Sequence, residues 1–148
     1  MRATAIDRAI LLAKKARDQG EFPVGAVVYR DEHILGEGFN QKESTKDPST
    51  HAEVMAIRAA AQAVGDWRLT GGTLVTTLEP CPMCLGAALQ ARIHTIIYLA
   101  KDRRWGACGS VMDFSNHAQL NHRCVCHYDP YPNVVSLMTD FFKDIGKR

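Results

Sequence analysis

Apolar and polar residues alternate along this chain with two different periods, and the switches between them mark out the elements. Ile6, Ala9, Ile10, Ala13 and Ala16 recur at intervals of three and four, which predicts a helix over about residues 4 to 19, ended by Gly20. VGAVVY and HILGEGFN follow, joined by the polar turn Arg30, Asp31, Glu32, and read as a β-hairpin. QKESTKDPST has no apolar period and many turn formers, so it reads as a connecting loop. HAEVMAIRAAAQAV is made of strong helix formers, with Ser49 or Thr50 placed to cap its free amides.

The second half begins with TLVTTL, then CPMCLGAALQAR, then TIIYLA, a strand, a helix and a strand. Such alternation favours a sheet with helices on its faces and at least one parallel strand pair. A polar stretch over 101 to 122 leads to a last strand, RCVCHY, and DPYPN punctuates the entry into an amphipathic finish, VVSLMTDFFKDIGKR. No internal repeat or linker interrupts the chain, so one domain over residues 1–148 is expected.

Composition adds limits. With 148 residues and 46% hydrophobic side chains the chain can bury a continuous core without disulfides. Its formal net charge of +2 neither requires nor forbids a polyanionic partner, so a nucleic-acid argument must rest on local charge. Five cysteines, an odd number, do not form the framework of a small secreted scaffold and fit reduced thiols in the cytoplasm. The first residues have no signal-peptide pattern, and no apolar run approaches the roughly 20 residues that span a bilayer, so no membrane partner is expected.

Candidate chemistry centres on Cys81 and Cys84, one turn apart at the start of a predicted helix behind Pro80. Helix geometry turns both sulfurs toward one point, and the positive end of the helix dipole favours thiolate. Alone the pair would suit redox exchange; zinc needs further ligands, and His51, also at a predicted helix start, is the candidate. Three ligands would leave one position for a water whose pKa the metal lowers. Glu53, two residues from His51, is better placed beside that water than on the metal and could act as general base and then general acid. H-x-E with P-C-x-x-C is the pattern of zinc nucleobase deaminases. The alternatives are a structural zinc clasp with Glu53 as a solvated charge, or two buried cysteines and an unrelated histidine. Cys124 and Cys126 share a strand face near His122 and His127, and are read as edge-strand thiols in preference to a second metal clasp.

FPVGAVV and GEGFN, DPSTHAEVMAI, TLEPCPMCLGA, GACGSVMDF, LNHR and DFFK together resemble the bacterial tRNA-specific adenosine deaminases of the cytidine deaminase-like superfamily. The resemblance implies a three-layer α/β/α fold with a mixed five-stranded sheet. It implies one Zn2+ per subunit on His51, Cys81 and Cys84, with Glu53 as proton shuttle and Asn40 and the backbone of Ala52 facing the substrate base. It implies wobble-adenosine deamination in a tRNA anticodon stem-loop by a homodimer. Lys101, Asp102, Arg103, Arg104, Asn121, His122, Arg123, Phe142, Lys143 and the ending KDIGKR are the nominated RNA contacts. Trp105 and Cys108 depart from the family pattern. The rival readings are a deaminase of a free base or nucleoside such as guanine, cytosine or adenosine, and a noncatalytic RNA-binding subunit of a deaminase dimer.

Overall fold

The structure is a computed structural model in which residues 1–146 are described. The elements run α1 (Arg2–Asp18), β1 (Gly25–Arg30), β2 (His33–Phe39), α2 (Lys42–Thr45), α3 (Ala52–Val64), β3 (Thr73–Thr76), α4 (Pro82–Gln90), β4 (Thr95–Tyr98), β5 (Val125–Tyr128) and α5 (Pro132–Gly146). The sheet order is β2-β1-β3-β4-β5. β1 is antiparallel to both β2 and β3, whereas β3, β4 and β5 are parallel to one another.

Alternation along the central strands divides the core between the two faces. Ala26, Val28, Leu74 and Ile96 pack with Ala52, Ala56, Ile57 and Ala60 of α3 and with Leu85, Ala88 and Leu89 of α4. Val27, Val75 and Ile97 point the other way, onto Ala5, Ile6, Ala9 and Leu12 of α1 and Val134 and Met138 of α5. This is the three-layer arrangement expected from the sequence. Each fully buried aliphatic side chain contributes roughly 1.5–3 kcal/mol, so the central strands, covered on both sides, carry much of the stability.

α1 ends where Gly20, at φ +77°, turns the chain left-handed and lets the Glu21 amide donate to the Ala16 carbonyl. One departure from the expected elements lies in residues 41–50. A single helical turn, α2, forms inside that loop because the buried Glu21 carboxylate accepts hydrogen bonds from the amides of Glu43 and Ser44, both at 2.8 Å. Glu21 is distant in sequence, so no local pattern announces the turn.

The hairpin lies unusually close to α3. A Cβ added at Gly36 would collide with the backbone of Ala56 and Ala60, and one at Gly38 with the backbone of Ala52 and Ala56. Both glycines are therefore required by helix–strand approach. That approach fixes the start of α3, where His51 sits.

Gly36→Ala is expected to lower stability by about 1–3 kcal/mol, since the neighbours are backbone and cannot yield. Gly86→Ala, in α4 with open space around its Cβ position, should be neutral or stabilising by up to about 1 kcal/mol. Denaturant unfolding of the two zinc-loaded variants checks this; equal midpoints would contradict the close packing.

Candidate active site

Two helices begin at the same place. His51 is the N-cap residue of α3 and Cys81 the N-cap residue of α4, both with extended backbone (φ/ψ of −70°/151° and −74°/171°), and Pro82 occupies the first turn of α4. Neither side chain caps its own helix, which leaves the imidazole and the thiol to meet each other. Ser49 and Thr50, expected as caps of α3, instead bond within the preceding loop, Ser49 Oγ to Asp47 Oδ1 at 2.7 Å and Thr50 Oγ1 to the Asp47 carbonyl at 2.9 Å. They shape the approach to His51 without touching the helix amides.

His51 Nδ1 lies 3.6 Å from Cys81 Sγ and 3.3 Å from Cys84 Sγ, and the two sulfurs are 3.6 Å apart. Tetrahedral zinc with ordinary Zn–S and Zn–N bonds implies S···S and S···N edges of about 3.8 and about 3.6 Å. The three atoms thus already form one face of a zinc tetrahedron, and they are the only group of three such donors among the described residues. The protonation of the triad supports the same ligand. Cys81 is pulled down to about 4, chiefly by its hydrogen bond with Cys84 and then by that with His51. Cys84 is pushed far up by the neighbouring Cys81 and by burial. One thiol ionises readily and the second does not, a conflict that a dication between them removes. His51 is raised, first by its bond with Cys81.

Glu53 lies in the first turn of α3, two residues after His51, is 4% exposed, and lines the same cavity. Burial pushes its carboxyl up to about 7. The cavity encloses about 1330 Å³ and is built at the carboxyl ends of β3 and β4, the usual place for a ligand in a sheet of this kind. Ala52 and Asn40 also line it. Asn40 is 6% exposed, its Nδ2 donating to the Phe22 carbonyl and its Oδ1 accepting from the Lys42 amide, both at 3.3 Å. The mouth carries Lys42, Lys101, Asp102, Arg103, Arg104, Trp105 and Phe142.

Other nominated residues stand elsewhere. Asn121, His122, Arg123 and Lys143 do not line the cavity. His122 Nε2 pairs with the Ile93 carbonyl at 2.8 Å, tying its loop to the segment before β4, and Arg123 donates to the carbonyls of His117 and Ala118 within the same loop. Within the ending KDIGKR, Lys147 and Arg148 lie outside the described residues. Cys124 Sγ donates to the Ile93 carbonyl at 3.1 Å, Cys126 Sγ faces Cys108 Sγ at 3.3 Å, and His127 is exposed on the other side of the strand.

Sequence reasoning gave no role to two buried carboxylates. Glu21 holds α2 against the cavity. Glu79, 1% exposed and two residues before Cys81, accepts from the amides of Asp102 (3.2 Å), Cys108 (3.0 Å) and Ser110 (3.1 Å) and from the Ser110 hydroxyl. It ties the loop after β4 to the metal-ligating turn. A glutamate between a strand end and a Cys-x-x-Cys was visible, but its partners are backbone amides more than twenty residues away.

A histidine and two cysteines on a zinc-sized triangle, with a buried glutamate beside them in a three-layer α/β/α fold, define a zinc-dependent nucleobase deaminase. The cytidine and deoxycytidylate deaminase zinc-binding region matches residues 2–100. A tRNA-specific adenosine deaminase of Bacillus subtilis (strain 168) is 40% identical over 95% of this chain and 88% of its own length. A structure solved in work on A-to-I editing by tRNA:A34 deaminases at the wobble position superposes with a TM-score of 0.82 at 34% identity, over 86% of this chain and 98% of that one. A guanine deaminase structure from Bacillus subtilis gives 0.64 at 41% identity, over 68% of this chain and 65% of that one. The chain belongs to the cytidine and deoxycytidylate deaminase zinc-binding family, in the group of the tRNA-specific adenosine deaminases.

Cys81→Ala and Cys84→Ala should each lower zinc stoichiometry and melting temperature together. Metal analysis beside thermal unfolding tests this, and full zinc content in both variants would refute the triad.

Proposed function

We propose that this protein is a hydrolase that converts the wobble adenosine of a tRNA anticodon loop to inosine with release of ammonia. The observation that carries the reading is the division of one cavity into a floor bearing Glu53 beside the His51–Cys81–Cys84 triad and a mouth bearing Lys42, Lys101, Arg103 and Arg104. The likeness to a tRNA:A34 deaminase structure over 98% of that chain supports the same substrate. Residues 1–148 would act as one domain, in a homodimer, in the cytoplasm, where five unpaired thiols persist. Among the described residues no helix is long and apolar enough to cross a membrane.

Zinc held by the triad supplies a Lewis acid beside which water becomes nucleophilic near neutral pH. Glu53 takes a proton from the attacking water as its oxygen bonds to C6 of adenine and delivers that proton to N1. The same carboxyl then moves the second proton to the departing nitrogen as the C6–N bond breaks. Water enters, ammonia leaves, and the ring becomes hypoxanthine. A carboxyl lifted by burial toward neutrality is suited to both directions of transfer. Asn40, with one amide hydrogen and one lone pair beyond its two backbone partners, meets the purine edge. Ala52 supplies a backbone amide at the first turn of α3, where helix amides have no partner within the helix. Because C6 is shielded in stacked RNA, the target base must leave the loop to enter.

Zinc-loaded protein is expected to form inosine in an anticodon stem-loop with adenosine at the wobble position, and to form no inosine, xanthine or uridine from free adenosine, guanine or cytidine respectively, as read by mass spectrometry. Glu53→Ala should keep its zinc and lose at least about 100-fold in turnover. Product from guanine but not from RNA would transfer the reading to a free-base deaminase, and near-normal turnover would remove Glu53 from the chemistry.

Replacing Lys101, Arg103 and Arg104 together by alanine should weaken stem-loop binding and flatten the log–log salt slope by up to about 2, each lost phosphate contact being worth about 0.7 on a single strand. An unaltered slope would place the RNA backbone elsewhere.

A further inference from the structure

Trp105 is the most exposed large apolar side chain among the described residues, at 64%, and it stands in the wall of the cavity mouth. An isolated exposed aromatic is ordinarily unremarkable. This one sits on a backbone held at nearly every position. Asp102 Oδ1 accepts the amides of Arg104 (2.9 Å) and Trp105 (3.2 Å), and the Asp102 carbonyl accepts Gly106 (2.9 Å). The Ala107 amide donates to the Pro80 carbonyl at 2.9 Å, and Glu79 binds the amides on either side of the turn. Gly106 packs so closely on the Glu79 carboxylate that a Cβ there would collide with it. The turn is therefore fastened to the segment immediately before Cys81, and the backbone that carries the indole has a fixed place relative to the triad.

The other exposed tryptophan behaves differently. Trp67, 52% exposed, is flanked by the guanidinium groups of Arg68 at 4.3 Å and Arg92 at 5.4 Å, so its faces are used. Among the described residues no ring or cation lies over the indole of Trp105; its neighbour Arg104 lies over the Phe142 ring at 4.7 Å, and Lys101 over Tyr128 at 5.0 Å. Lys101, Arg103 and Arg104 have no ion-pair partner among the described residues. A flat, unpartnered aromatic face among cations without ion-pair partners, carried on a fixed backbone at the edge of a cavity of about 1330 Å³, matches the way single-stranded nucleic acid is bound: bases stack on rings while cations follow the phosphates.

Resting on the proposed function, we propose that Trp105 is the stacking platform for the base next to the one deaminated, and that it sets how strongly this protein discriminates a looped RNA from a free nucleoside. The energy of that stack holds the loop open while the neighbouring base enters the cavity. Because the backbone of the turn is already ordered before RNA arrives, little backbone freedom is lost on binding.

The test uses the zinc-loaded full chain. Trp105→Ala should raise KM for the anticodon stem-loop about 5- to 150-fold, the range of one stacked base, with kcat changed far less, and Trp105→Tyr should restore most of the loss. A stem-loop with an abasic nucleotide beside the target should cost wild-type protein a similar factor and cost Trp105→Ala almost nothing further. In a Trp67→Phe background, the emission of the single remaining indole should be quenched by the intact stem-loop and not by the abasic one on the stacking side. Trp105→Ala with unchanged KM, or abasic and alanine penalties that multiply in full, would overturn the platform while leaving the deaminase reading intact. No inosine from wild-type protein on the intact stem-loop would overturn that reading and this one with it.

Discussion

Two sulfurs and an imidazole nitrogen held within 3.6 Å of one another are an electrostatic problem before they are a catalyst. Cys81 is pulled down while its neighbour and burial push Cys84 up, so ionising both thiols together is opposed where no cation lies between them. The fold accepts this crowding because both donor-bearing segments are helix starts anchored elsewhere. α3 is pressed onto the hairpin through Gly36 and Gly38, and α4 follows directly from a strand buried in the sheet. Metal affinity and fold stability are consequently one quantity here, because the triad cannot relax outward without unpacking a helix.

Two further buried carboxylates carry that order from the floor to the mouth. Glu21 and Glu79 are acidic side chains inside the protein whose oxygens are occupied by backbone amides and a hydroxyl instead of by cations. Such bonds compensate burial of a carboxylate and at the same time specify a loop conformation. Each carboxylate fixes one wall of the cavity, α2 on one side and residues 101–110 on the other. The loops are polar and exposed in large part, yet their backbones are set by atoms in the interior.

Hydrophobic period was enough to read the four longer helices and the five strands, because burial on a helix or strand repeats at a fixed spacing, while the three-layer arrangement came from the family resemblance. The triad was readable as well, since His51 and the Cys81–Cys84 pair are local patterns at helix starts. What the sequence hid depends on long-range partners. The turn of α2 exists only because Glu21 returns to it, and the position of Trp105 depends on Glu79. His122 and Arg123 looked like free polar groups in a loop, but each spends its donors on carbonyls. Charge in a sequence says nothing of which charges are already engaged.

The floor and the mouth of the cavity answer different selective demands. The His51–Cys81–Cys84 triad and Glu53 suit attack on any aminated ring carbon, so they alone do not separate guanine from adenosine in RNA, and substantial identity to a guanine deaminase is compatible with them. Substrate class must then be decided by the other residues that line the cavity, including those where it opens. On this chain that region is a turn bolted to the metal segment, with unpaired cations and an uncovered indole. A free purine in the cavity would leave those groups idle in solvent, whereas the proposed RNA strand would give them phosphates and a base to meet. The arrangement favours a polymer, with specificity residing in the neighbours of the base that reacts.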